Sequence, residues 1–261
     1  RVEFRGNEEY KSKVLFSKLS FEPGDPLEQF AVESGRATIE DFYRGKGYAF
    51  CEVSVDEQAL SGGAVIYTID EGPRVKIGDI RFVGNDAIED GDLRTVIQQK
   101  EKSLLLFTRY YVAEKIEEDV FRLEQAYQKR GYLNARVNVE EAFSESREKI
   151  RLTYVIDEGS QYEVGDVRVS GNEYFSSDEL REQMGLESGR IFNGQRAERD
   201  MEAVRELYLE QGFINVEIEQ SRQFVSAERV DLQYEINEGN RFRIGRVNVG
   251  GSQQLQEKGV R

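Results

Sequence analysis

Val2-Glu3-Phe4-Arg5-Gly6-Asn7, Ile80-Arg81-Phe82-Val83-Gly84-Asn85 and Val167-Arg168-Val169-Ser170-Gly171-Asn172 are one phrase written three times. Each copy alternates apolar and polar residues, the pattern of a half-buried strand, and closes on a small turn-forming pair. Val247-Asn248-Val249-Gly250-Gly251 opens a fourth copy. The phrase recurs about every 80 residues, so the chain is a tandem array rather than one large domain. Three further markers keep step with it. Gly45-Lys46-Gly47-Tyr48, Lys129-Arg130-Gly131-Tyr132 and Glu210-Gln211-Gly212-Phe213 come first. Ile69-Asp70-Glu71-Gly72, Ile156-Asp157-Glu158-Gly159 and Ile236-Asn237-Glu238-Gly239 follow, and then Ile77-Gly78, Val164-Gly165 and Ile244-Gly245.

Between these markers the hydrophobic period changes in a fixed order. After the opening strand comes a short helical stretch; in the third repeat Ser176 and Glu179 read as a capping box ahead of Leu180 and Met184. A longer helix follows. In the first repeat Asp25 suits its N-cap, Pro26 its first turn and Glu28 its third position. In the second, Ala113, Ile116, Val120, Leu123 and Tyr127 fall on one helix face. Counted back from the closing glycine, Tyr43, Tyr127 and Tyr208 share one position, and Ile39, Leu123 and Val204 another. Gly47, Gly131 and Gly212 end the helices, where a left-handed residue is commonly needed, and Gly72, Gly159 and Gly239 mark the joints. Two alternating runs complete each repeat, joined in the first by a hairpin at Ser61-Gly62-Gly63. The predicted fold is α+β: three tandem β-α-α-β-β modules, each a three-stranded sheet covered on one face by two helices, plus the first strand of a fourth. The boundaries fall at 1–74, 75–161, 162–241 and 242–261. The joints are short, which predicts limited hinge motion.

The 261 residues carry 36 Lys+Arg against 50 Asp+Glu, a formal charge of −14. That balance argues against nucleic acid and against docking on anionic lipid. Histidine is absent and Cys51 is the one cysteine, which removes Ser-His-Asp and Cys-His catalysis, His-containing zinc sites and internal disulfides. Gly45-Lys46-Gly47 lacks the third glycine and the preceding strand of a dinucleotide loop, and Asp90-Gly91-Asp92 lacks calcium-loop spacing. Glu117-Glu118-Asp119 and Glu140-Glu141 read as solvated surface. The expectation is therefore a non-enzymatic protein without metal or cofactor.

The second repeat departs from the others between its helices, where extra residues fall around Lys102-Ser103-Leu104-Leu105-Leu106-Phe107. Leu104, Leu105, Leu106 and Phe107 either form an exposed partner patch or tuck against their own helix pair.

The strand-Gly-Asn opening, the helix-closing Gly-Tyr and the Asp-Glu-Gly joint, in β-α-α-β-β order, resemble the POTRA domain of BamA-like outer-membrane protein assembly factors over essentially the whole chain. The resemblance implies an arm on the periplasmic side of the bacterial outer membrane. Its partners would be unfolded outer-membrane proteins, assembly lipoproteins and the protein's own C-terminal membrane barrel, which this sequence does not include. It also implies that the accessible sheet edge is the strand after each Gly-Tyr, where an extended client can add a strand. Those strands are Glu52, Val53, Ser54 and Val55; Arg136, Val137, Asn138 and Val139; and Val216, Glu217, Ile218 and Glu219. Glu52, Arg136 and Glu217 are either client contacts or guards against aggregation. Two alternatives stay open: the arm of a paralogous secretion or import transporter, and a docking scaffold that never touches clients.

Overall fold

The computed structural model describes residues 1–26, 28–100 and 109–246, and the chain divides into two compact units. The first unit, residues 1–128 with 132–160, holds the first two modules; the second, residues 129–131 with 161 onward, holds the third. Module 1 comprises β1 (Val2–Arg5), α1 (Ser12–Phe16), α2 (Gln29–Arg44), β2 (Glu52–Val55), α3 (Glu57–Ser61) and β3 (Val65–Asp70). Module 2 comprises β4 (Lys76–Val83), α4 (Asp90–Val96), α5 (Glu114–Gln128), β5 (Arg136–Phe143) and β6 (Lys149–Asp157). Module 3 comprises β7 (Glu163–Ser170), α6 (Ser177–Gln183), α7 (Gly194–Glu210), β8 (Glu217–Phe224) and β9 (Arg229–Asn237).

Each sheet has three strands with the last in the centre: β1-β3-β2, β4-β6-β5 and β7-β9-β8. The first strand pairs parallel to the central one, which is possible because two helices fill the crossover, and the second pairs antiparallel as a hairpin. This is the expected α+β architecture. Alternate residues of the strands and one stripe of each long helix form the cores, with Tyr43, Tyr127 and Tyr208 fully buried at the shared helix position.

The repeated markers have local causes. Gly6, Gly84 and Gly171 sit at φ +79°, +81° and +77°, and a Cβ on each would lie 2.1–2.2 Å from the carbonyl oxygen of Ile69, Ile156 or Ile236. Only glycine lets the first strand turn away that close to the central one. The glutamate of the joint marker then ties the two strand ends together. Glu71 Oε1 accepts from Glu9 N–H at 3.0 Å and Tyr43 Oη at 2.8 Å. Glu238 Oε1 does the same with Tyr174 N–H and Tyr208 Oη, both at 2.8 Å, and Glu158 accepts from Ala87 N–H at 2.8 Å. Burial, then the bond to the carboxylate, pushes the Tyr43 and Tyr208 hydroxyls well above the usual tyrosine range.

A second internal anchor was not legible. Asp119 is fully buried, not solvated surface. It accepts from the backbone N–H of Gln98, from Gln99 N–H at 3.0 Å and from Tyr154 Oη at 2.9 Å. Asp200 holds the same position in α7 and accepts from Gly185 and Leu186 N–H at 2.8 and 2.9 Å. Each carboxylate thus caps the segment that leaves the short helix, satisfying donors that would otherwise be buried without partners. Module 1 has Gly35 there, and the Tyr67 hydroxyl occupies the vacated space, donating to Val32 O at 2.9 Å.

Three expectations need correction. Helix α2 starts at Gln29, not after Asp25; the Asp25 carboxylate instead accepts from Glu22 N–H at 2.8 Å and closes a turn at Pro23-Gly24. Ser61-Gly62-Gly63 is not a simple hairpin loop. It ends α3, a short helix whose cap, Asp56, accepts from Ala59 N–H at 3.0 Å, so module 1 reads β-α-α-β-α-β. Ala113 lies one residue ahead of α5 and is exposed, while the rest of the stripe packs inward. The Ser176–Glu179 capping box is present in both directions.

Within the first unit the joint between modules is packed. Val75 N–H donates to Gly47 O and Arg74 Nε to Lys46 O, both at 2.8 Å. The Arg74 guanidinium lies 3.5 Å over the Tyr110 ring and 5.6 Å from that of Tyr48. Gly47, at φ +96°, is closed in by Tyr110, whose Cβ would be 2.6 Å from an added methyl.

Candidate functional site: the open sheet edges

The sheet order leaves the strand after each helix-closing glycine at an edge. β2 coincides with Glu52–Val55, β5 contains Arg136–Val139 and runs on to Phe143, and β8 begins at Glu217, with Val216 buried just ahead of it. Pairing fixes which backbone groups face outward. Asp56 N–H bonds inward to Ile66 O, Ser144 N–H to Lys149 O and Val225 N–H to Arg229 O. Alternation then turns Val53 and Val55, then Val137, Val139, Glu141 and Phe143, then Ile218, Gln220, Arg222 and Phe224 toward the open edge. Their side chains face the helix layer, so an added strand would lie in a groove between edge and helix.

The opposite edges are occupied by the chain itself. Along β4, Ile77 N–H donates to Arg109 O at 3.1 Å, Val75 O accepts from Tyr111 N–H at 2.9 Å, and Arg94 donates to Ile80 O at 2.6 Å. Along β7, Val164 N–H donates to Arg190 O at 2.7 Å and Val164 O accepts from Gly189 N–H at 2.8 Å. Self-pairing of this kind blunts an edge against outside strands. The asymmetry selects β5 and β8 as the free edges of their modules.

The edges also differ in length. β2 spans 4 residues and is stopped by α3, whereas β5 and β8 span 8 each. Between β2 and α2 lies a groove of about 770 Å³ lined by Val53, Val55 and Leu60 and by the charged Glu33 and Arg36. The first outward N–H of two edges is already engaged by a helix carboxylate. Val53 donates to Glu40 Oε2 at 3.4 Å and Val137 to Glu124 Oε1 at 3.2 Å. Farther along β5, Glu141 accepts from the Tyr111 hydroxyl at 2.8 Å, and Phe143 packs edge-on against Phe50 and Tyr111. Burial and that bond raise the Tyr111 hydroxyl well above its usual range.

The joint glycines Gly72, Gly159 and Gly239 sit at φ +59°, +63° and +64°, and the helix-ending Gly47, Gly131 and Gly212 at +91° to +96°. Leu104, Leu105, Leu106 and Phe107 lie outside the described residues. Among the described residues no group of three or more His, Cys, Asp or Glu side chains could hold a metal ion, and no helix is long and apolar enough to cross a membrane. Sequence reasoning missed the helix carboxylates over the edges. The available signal was the shared position of Glu40 and Glu124, three residues before Tyr43 and Tyr127.

Comparison with known proteins bears on the whole chain. The POTRA family model, described as a surface antigen variable number repeat, matches residues 1–72, 75–159 and 162–239. The outer membrane protein assembly factor BamA of Neorickettsia risticii is 26% identical over 100% of this chain and 36% of its own length. That of Neisseria meningitidis serogroup B is 24% identical over 96% of this chain and 31% of its own length. The chain thus spans about a third of the length of these curated relatives. Among solved structures, Haemophilus influenzae BamA POTRA3-5 superposes with a TM-score of 0.53 at 22% identity, covering 90% of this chain and 94% of that one, which supports the fold. Matched by the family model three times in tandem, this chain belongs to the POTRA family.

Proposed function

We propose that this chain is the periplasmic arm of an outer-membrane protein assembly factor, and that its open sheet edges receive extended segments of unfolded β-barrel proteins by strand addition. The observation that carries the reading is the edge asymmetry of modules 2 and 3. One edge strand is occupied by the chain's own backbone and side chains, while β5 and β8 face outward over 8 residues each. Backbone pairing makes little demand on sequence, which suits an arm that serves many clients. Ordering an extended peptide opposes the gain, so each edge holds a client weakly, and tandem edges raise the effective concentration of the next contact. Assembly lipoproteins are the second class of partner, and the membrane barrel that follows such an arm receives the client. That its relatives are outer membrane protein assembly factors supports this setting.

The test is an amide-resolved NMR titration of the 261-residue chain with a peptide from an outer-membrane barrel strand. Shifts along Val137–Phe143 or Ile218–Phe224 are expected. A flat titration at millimolar peptide overturns client capture and leaves a scaffold that docks lipoproteins alone.

A further inference from the structure

Three residues before the buried helix tyrosines Tyr43, Tyr127 and Tyr208 stand Glu40, Glu124 and, in the third module, Arg205. In the first two modules that side chain accepts the first outward N–H of the open edge, from Val53 and Val137. The carboxylate oxygen takes the place that the carbonyl of an added strand would take, so it competes with one. In module 3 the equivalent strand residue is Ile218, and Arg205 has no oxygen to offer it. The Arg205 Nε is shut off from solvent and has no hydrogen-bond partner among the described residues. The same is true of Gln220 Nε2, on the next outward residue, and of the hydroxyl of Tyr234, which pairs with Gln220 across the sheet. Among the described residues Arg205 has one weak carboxylate contact, Nη1 to Glu202 Oε2 at 3.5 Å, and Arg222 holds its guanidinium 4.9 Å over the Phe192 ring. Among the described residues the helix side of this edge thus presents the Arg205 and Arg222 guanidinium groups and the Gln220 amide, with no carboxylate bonded to an outward N–H of β8. A buried donor left unpaired is costly, and an incoming acceptor relieves that cost. On the other face of β8, Glu217 and Glu219 are exposed.

We propose that β8 is the preferred docking strip of the arm, and that its ligand is an extended segment with carboxylate side chains at alternate, helix-facing positions and neutral or basic ones between them. The inference rests on the strand-addition reading and narrows it. Backbone carbonyls of the segment would pair with the outward N–H groups of Ile218 and Gln220. Its helix-facing carboxylates would meet Arg205 and Arg222, where charge-assisted bonds are strongest. Acidic residues in the intervening register would face Glu217 and Glu219 and be repelled. Modules 1 and 2 supply Glu40 and Glu124 at this point, so an added strand there must displace a carboxylate from the first outward N–H, and an acidic segment is repelled.

The test uses the whole 261-residue chain and two nine-residue extended peptides, one alternating Glu with Thr and one with Gln in place of every Glu. The acidic peptide is expected to shift the Ile218, Gln220 and Arg222 amides with a Kd about tenfold lower than the amide peptide, the range of one charge-assisted bond. Arg205→Glu, which installs the guard of the other modules, should abolish that preference, and Arg205→Lys should keep it. Glu124→Arg should give β5 the acidic preference it lacks, a gain that loss of folding cannot mimic. Equal binding of the two peptides, or an unchanged preference in Arg205→Glu, overturns the inference. If β5 responds and β8 does not, strand addition stands and this assignment falls; if no edge amide moves with either peptide, both fall.

Discussion

Replacing Asp119 with alanine tests whether the modules are held together internally by the buried carboxylate. The side chain accepts three hydrogen bonds: from Gln98 N–H, from Gln99 N–H and from the Tyr154 hydroxyl. All are bonds to a charged acceptor, and truncation leaves the donors inside the module with nothing to replace it. At roughly 1–3 kcal/mol for each stranded group, with the Gln98 amide able to recruit water, the loss should come to about 4 kcal/mol. Asn keeps one acceptor oxygen and should cost about 2 kcal/mol. A domain's whole stability is roughly 5–15 kcal/mol, so Asp119→Ala should leave module 2 marginal. The equivalent Asp200→Ala removes two backbone bonds and a 3.6 Å contact to Arg196, and should be milder, at about 3 kcal/mol. Bulk unfolding curves would average the modules. The assay is therefore native-state hydrogen exchange resolved at β6 for Asp119→Ala and at β9 for Asp200→Ala. A loss under about 1 kcal/mol at β6, or an equal loss in modules 1 and 3, refutes the anchoring role.

Gly84→Ala places a Cβ 2.2 Å from Ile156 O at φ +81° and should cost module 2 at least about 2 kcal/mol, whereas Gly91→Ala, with open space around it in α4, should be neutral or slightly stabilising; urea unfolding compares the two. Arg74→Ala removes the cation stacked on Tyr110 and the bond to Lys46 O; stability should fall by no more than about 2 kcal/mol, but residual dipolar couplings should show a wider spread of angles between modules 1 and 2. Burial pushes the Cys51 thiol up to about 12, so the folded chain should resist thiol alkylation at pH 8 at a rate that tracks its unfolding. Because the folded value lies above the unfolded one, that contribution to stability is complete below about pH 8.5 and is lost as pH rises toward 12; melting temperatures of the wild type and Cys51→Ala should converge over that window.

The markers that could be read in the sequence are those with a local backbone cause. Gly84 must be glycine because the chain turns beside Ile156 O, and Gly47 because a left-handed residue ends its helix against Tyr110. Such demands fall on single residues and leave a visible pattern in every copy. Asp119 was misread because an acidic residue beside Glu117 and Glu118 looks solvated; the backbone donors of Gln98 and Gln99, some twenty positions away, and the Tyr154 hydroxyl account for its burial. Helix α3 is five residues long, too short for a period, and its closing glycines imitate a hairpin turn. Asp25 satisfies a turn amide instead of a helix end, a choice between two local bonds that sequence does not decide. The edge position of β2, β5 and β8 depends on the parallel pairing of first and last strands, a long-range fact that reached the sequence reading through family resemblance alone. The guards Glu40 and Glu124 followed only once that edge was in place.

The central claim is that clients add a strand to the open edge, and backbone alternation tests it most directly. In β5 the amides of Val137, Val139, Glu141 and Phe143 face outward while those between them are bonded to β6. Hydrogen exchange should be measured amide by amide, with and without a saturating barrel-strand peptide. Protection gained at the outward set of β5 or of β8, with the intervening amides unchanged, is the predicted result. Uniform protection, or protection along β4 and β7 instead, would contradict strand addition at these edges.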